Sequence, residues 1–436
     1  MNSKPITQYA KELLNIAAPI IMGNIGFILI GVGDIIVAGR HSTDTFAAIS
    51  IAAAIVNCIM TIAIGLTSSI SPLLSNYRGQ RKPIKRYLYP SIRFAGILAI
   101  ITGFIIVGFI PLIAKMGFEQ HLVKPIQQYM FISALGTFGG SLHHSMKEFL
   151  QAFEIVLFPN LLTIFSVFLN IILNIIFVFG WGVIPSMGAV GLAIASLIVR
   201  YFMGFSLLIY CRMIMRVNNY HEKGYYMSLV KIGLPIALAI LVEFFAFNII
   251  AILMGRIAGV YAAAQNLVCT ITTTSFMIPF AISNAIAVKV GFSNGAKNYV
   301  DLKRYAVTGT VMSEIFMAFS AIIFLLFPKF IIGIFTKDVE LINIALPVMF
   351  ILVVFQLFDG LQISLSGICK GVKQTKIILL ANFVAYWLIS IPLGYTLGLK
   401  YNLKLVGFWI GLVSSAVILC LIMIVQLKRY FVKKYY

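Results

Sequence analysis

Residues 232–254 read IGLPIALAILVEFFAFNIIAILM, an apolar run broken by a single acid, Glu243. A helix needs about 20 apolar residues to cross the roughly 30 Å hydrocarbon layer of a bilayer, and this run meets that length. Working outward, runs of the same kind fill the chain. They predict helices near 12–38, 46–75, 88–113, 124–145, 155–180 and 187–211, then near 228–254, 259–291, 304–327, 341–368, 376–399 and 405–427. The composition agrees. Of 436 residues 61% are hydrophobic and 11% charged, with a mean hydropathy of +1.01. Soluble domains sit near about 45–50% apolar and about 25% charged. A soluble enzyme or transcription factor is excluded, and the expected fold class is an all-α polytopic membrane protein with twelve transmembrane helices.

The chain carries 33 Lys and Arg against 13 Asp and Glu. Such an excess would suggest nucleic acid in a soluble protein, but here its position decides. The segments on the side of the N-terminus hold Lys4, Lys11, Arg78, Arg81, Lys82, Lys297, Lys373 and the tail from Lys428, among others. The bias over the opposite side is roughly three to one, the pattern that puts positive loops and both termini in the cytoplasm. No nucleic-acid partner is expected. The cysteines at 58, 211, 269, 369 and 420 are scattered through apolar stretches and read as small core residues.

The chain also matches itself at a shift of 216 residues. Pro19 falls on Pro235, Gly39-Arg40 on Gly255-Arg256, Gly79 on Gly295 and Val190-Gly191 on Val406-Gly407. Each half then holds six helices. An even number returns the chain to its starting face, so the halves are parallel repeats related by a pseudo-twofold axis along the membrane normal. The expected division is 1–217 for one lobe, 218–227 for a polar cytoplasmic linker and 228–436 for the other lobe. Two six-helix lobes around a central cavity make a transporter architecture, with substrate at the repeat interface.

Charges at membrane depth are costly and need a reason. Four acids fall inside the expected spans: Asp34, Glu243, Glu314 and Asp359. Glu243 and Asp359 both come out in the middle third of the membrane in the C-terminal lobe, where a carboxylate pair binds a cation or holds a proton. Asp34 lies nearer the outer end of its helix, with Arg40 and Arg200 as possible charge partners. Asn170 and Asn174, four apart, share one helix face. Nothing around Glu314 suggests a second ligand. Walker A, HExxH and Ser/His/Asp patterns are absent from the sequence, so no catalytic residue or cofactor is expected and transport must run on an ion gradient.

At this point the motifs are distinctive. The stretch GVGDIIVAGR at 31–40 with FAAISIAAAI at 46–55 resembles the first two helices of the multidrug and toxin extrusion (MATE) family. GLPIALAILVEFFAF, YAAAQ, IPFAISNAIAVKVGFSNGA and LFDGLQISLSGICKGVKQT extend the likeness across the second half, which looks most like the NorM branch. The resemblance implies the MATE fold of the MOP superfamily, acting as a monomer in the inner membrane. It implies an antiporter that expels cationic amphiphilic compounds in exchange for Na⁺ or H⁺. It also implies that Glu243 and Asp359 form the cation site, that Asp34 lies beside Asn170 and Asn174, and that Gln265 lies near substrate. Two positions depart from the NorM pattern: Phe355 stands where a Tyr is frequent, and Arg200 is an added charge. A lipid-linked oligosaccharide flippase of the same superfamily is the alternative. It would line its cavity with Lys and Arg for pyrophosphate, whereas the mid-membrane charges here are mostly acidic.

Overall fold

The computed structural model describes residues 4–215 and 224–435. Apolar sequence in lipid leaves the backbone no water to bond, so helices are the economical solution, and among the described residues no strand forms beyond an isolated bridge between Trp181 and Ile184. The first half runs α1 (Ile6–His41), α2 (Thr43–Thr67), α3 (Ile70–Gly79), α4 (Leu88–Ile113), α5 (Gln120–Leu135), α6 (Thr137–Ala152), α7 (Leu157–Asn174) and α8 (Gly188–Met215). The second runs α9 (Tyr225–Ile257), α10 (Gly259–Gly295), α11 (Tyr299–Leu326), the short α12 (Pro328–Phe335), α13 (Val339–Gly371), α14 (Thr375–Asn382), α15 (Ile391–Tyr395) and α16 (Lys404–Tyr435). Wide π-helical turns at Ile175–Phe179, Phe383–Ser390 and Thr396–Lys400 prolong α7 and flank α15.

Among the described residues eleven helical segments are long and apolar enough to cross a membrane. The expected span near 124–145 is the one without such a helix: it falls on α5 and α6, of 16 residues each, which are separated at Gly136. The second expected span, near 46–75, is likewise broken at Ser68 and Ser69. Their hydroxyls bond the carbonyls of Gly65 at 2.8 Å and Leu66 at 2.6 Å, the local competition that loosens a helix. Exposed apolar side chains such as Phe104, Phe168 and Phe319 give the helices a surface that suits acyl chains.

The chain forms two compact units, and their boundaries differ from the expected cut at 218–227. Unit 1 joins Met1–Ala17 to Leu238–Tyr436, and unit 2 is Ala18–Ala237. Each boundary falls within three residues of a helix-interior proline, Pro19 of α1 and Pro235 of α9. The first turns of each of these helices therefore belong to the other half's unit. Residues 216–223, most of the expected linker, lie outside the described residues.

Packing accounts for the exchange. In unit 1, Tyr9, Leu13 and Ile16 of α1 are buried, and the Tyr9 hydroxyl bonds Asp301 of α11. Glu12 accepts from Lys4 at 2.7 Å, from Lys289 at 3.2 Å and from Tyr305. In unit 2, Tyr225 of α9 meets Ser91 of α4 hydroxyl to hydroxyl at 2.8 Å. Gly65 lets α2 and α9 touch backbone to backbone: a Cβ there would lie 2.3 Å from Ala237 Cα.

Candidate ion-coupling site

Glu243 follows Pro235 by eight residues, about 12 Å along α9. The end of α14 and the turn that follows it pin it. Asn382 Nδ2 donates to Ala239 O at 3.3 Å, Trp387 Nε1 to Val242 O at 3.1 Å, and the Tyr386 hydroxyl to Glu243 Oε1 at 3.2 Å. The π-helical turn at Phe383–Ser390 advances successive side chains by less than an α-turn, and it aims Tyr386 and Trp387 at the same helix. Tyr386 is 1% exposed and Gln362 of α13 lies alongside its hydroxyl.

Glu243 and Asp359 line one cavity of about 410 Å³ inside unit 1. That size lies within the roughly 300–1,000 Å³ of small-molecule sites. Its walls are aromatic: Phe244 and Phe247 of α9, Phe276 of α10 and Phe355 of α13, with Asn248, Asn266 and Thr273 as neutral polar groups. Phe355, 2% exposed, packs edge-on against Trp409 at 5.4 Å. The cavity thus presents two acids and aromatic faces, the combination that suits a cation carried on an apolar body.

Asp359 is 4% exposed, yet among the described residues its carboxylate accepts no hydrogen bond and no ion pair within 4 Å reaches it. The charged groups that act on it are Glu243 and Glu314, both acids. Glu314 comes from α11. A Cβ on Gly360, the next residue after Asp359, would stand 3.0 Å from Glu314 Oε1, an oxygen that is buried with no hydrogen-bond partner. Sequence alone shows the depth of Glu314 but not this neighbour, so the reading of Glu314 as lacking company is corrected.

Gln265 is also placed differently from expectation. It is fully buried, its Oε1 accepts from Trp409 Nε1 at 2.9 Å and its Nε2 meets Cys269 Sγ at 3.2 Å. Its amide is committed to packing, and the neighbouring Asn266 faces the cavity instead. Tyr386, Gln362 and Asn266 escape sequence reading. Tyr386 sits in the aromatic run FVAYWLIS, where it looks like any packing ring. Gln362 carried one available signal: with Gln356 and Asp359 it forms a series spaced by three on α13.

In unit 2, Asp34, Asn170 and Asn174 come together. Asn174 Nδ2 donates to Asp34 Oδ1 at 2.7 Å and to Asn170 Oδ1 at 3.0 Å, and Ser196 of α8 donates to Asp34 Oδ2 at 3.4 Å. Arg200 lies close enough to act on Asp34 but forms no ion pair with it within 4 Å. Arg40 makes no hydrogen bond or ion pair with Asp34 either, so the pairings expected from sequence are not the ones this structure makes.

The MatE family model matches residues 19–176 and 235–396, most of the chain and both halves of the repeat. The chain belongs to the MatE family. Curated relatives match this MatE protein end to end. The probable multidrug resistance protein NorM of Bacillus licheniformis is 26% identical over 443 residues, covering 98% of this chain and 97% of the relative. Its counterpart in Photorhabdus laumondii subsp. laumondii is 28% identical over 439 residues, covering 96% and 95%. Among solved structures, a mutant of the Vibrio cholerae MATE transporter VcmN superposes with a TM-score of 0.90 at 17% identity, covering 98% of both chains, a likeness of fold. The MatE protein is therefore a NorM-like, multi-pass membrane transporter and not an enzyme.

Proposed function

We propose that this MatE protein is a secondary-active multidrug exporter that expels cationic amphiphilic compounds in exchange for Na⁺ or H⁺. The observation that carries the reading is Asp359: a buried carboxyl without a donor, facing a second acid across an aromatic cavity. An anion there is costly until a cation or proton joins it. Glu243, held by Tyr386, is the second ligand of that ion. The organic cation needs the same negative potential and the same aromatic walls, with each cation–π contact worth about 0.5–2 kcal/mol. Ion and drug therefore compete for one cavity. Antiport follows when the ion favours one conformation and the drug the other, because a ligand shifts an equilibrium only by its differential affinity. In this reading the protein works as a monomer in the bacterial inner membrane with both termini cytoplasmic, and no cofactor takes part.

The test is efflux of a fluorescent organic cation from everted vesicles, with Na⁺ and pH varied separately. Glu243→Gln keeps an oxygen for Tyr386 and removes the charge, and Asp359→Asn does the same for the second acid. Each variant, expressed at native levels, is expected to lose ion-driven efflux. Full efflux in both would remove the proposed site. The flippase reading rests on Arg200, a cation inside an expected span of unit 2.

A further inference from the structure

Arg200 is a charge that the coupling site does not use. A guanidinium cannot shed its proton, so at membrane depth it needs an anion or water. Its stem lies along the bend between α5 and α6, where glycines leave room: Cβ atoms built on Gly136 and Gly140 would stand 3.4 Å and 3.9 Å from Arg200 Cδ. Among the described residues the guanidinium makes no hydrogen bond and no ion pair within 4 Å. The nearest acid on the same helix face is already defined. Ser196 bonds Asp34, and Arg200 follows Ser196 by four residues, one turn and about 6 Å of rise, which an extended arginine side chain covers. Arg200 and Asp34 both act on the buried Tyr129 of α5, which places all three in one neighbourhood.

The two oxygens of Asp34 differ. Oδ1 is held at 2.7 Å by Asn174, itself bonded to Asn170, whose amide also lies by the carboxylate, whereas among the described residues the hydrogen bond to Oδ2 is the long 3.4 Å contact from Ser196. A guanidinium arriving at Oδ2 displaces one long hydroxyl contact and leaves the amide cradle intact. We infer that Arg200 is a tethered monovalent cation for Asp34, which moves onto Oδ2 in the transport cycle. Unit 2 thereby satisfies its acid from within and draws no ion from solution. Ion uptake then belongs to unit 1 alone. The inference concerns a different site from Glu243 and Asp359, and its test does not depend on which ion unit 1 takes.

Radioactive Na⁺ bound per chain at saturation is counted on the purified protein. Arg200→Gln is expected to bind one more Na⁺ than the native protein, at the vacated Asp34. Arg200→Lys, which keeps a tethered cation, is expected to hold the native count, and Arg200→Gln combined with Asp34→Asn to return to it. If Arg200→Gln does not fold, Asp34→Asn alone decides: with Arg200 in place its count is expected to equal the native one. An unchanged count in folded Arg200→Gln overturns the inference. So does a raised count that persists without Asp34, or a drop of one in Asp34→Asn. Saturable binding of inorganic pyrophosphate that Arg200→Gln abolishes also overturns it, since the guanidinium would then serve an anionic ligand.

Discussion

Replacing Tyr386 with Phe removes one oxygen from the centre of unit 1 and little else. The ring stays, with its 6.0 Å contact to Phe247, and the space vacated is that of a single buried oxygen. What is lost is the donor that fixes Glu243 Oε1 at 3.2 Å, together with the oxygen beside Gln362. A hydrogen bond to a charged acceptor is worth roughly 1.5–3 kcal/mol net. A strong O–H···O⁻ contact is roughly 2.5–2.7 Å long, so this longer bond belongs at the lower end, about 1.5 kcal/mol, or about tenfold in affinity. The hydroxyl both orients Glu243 and offers a lone pair to an arriving cation, a role that Phe355 cannot fill one turn before Asp359. The assay is the concentration of coupling cation that gives half-maximal efflux from everted vesicles. Tyr386→Phe should raise it about tenfold while the rate at saturating cation is kept. An unchanged half-saturation, or a loss that more cation does not restore, refutes the role of Tyr386.

Two further substitutions probe the exchanged helix segments. Gly65→Val would set a Cβ 2.3 Å from Ala237 Cα; overpacking of this kind costs about 1–3 kcal/mol or more, so the variant should elute heterogeneously from size exclusion, and native-like elution and melting would deny the close approach. Glu12→Gln weakens the contacts with Lys4, Lys289 and Tyr305. Losing roughly 1–3 kcal/mol in a unit of this size lowers Tm by about 2–4 °C per kcal/mol, and a thermal scan with no shift would show that the cluster adds nothing to stability.

The fold class is legible because lipid imposes a simple rule: hydropathy marks the long apolar helices, eleven among the described residues against twelve expected, and Pro19 and Pro235 mark the repeat. The exchange of half-helices is not legible. A proline marks where a helix is weak but does not say which partner each side packs against, and that depends on Tyr9, Glu12 and Tyr225 meeting residues far along the chain. The same contrast holds at the site. Glu243 and Asp359 stand out as charges in apolar runs, whereas Tyr386 is an aromatic among aromatics. Gln265 is expected near substrate only through the family resemblance, and in the structure its amide oxygen is taken by Trp409. Glu314 depends on the missing side chain of Gly360, a feature of space that periodicity does not carry.

The crossover of α1 and α9 bears on how such a chain could arise. If the polypeptide were severed after residue 215, the first fragment would carry seventeen residues that complete unit 1, and the second would keep the piece ending at Ala237 that completes unit 2. Neither fragment alone would own a finished core. An ancestral half-length protein built this way would have had to trade arms with a sister copy.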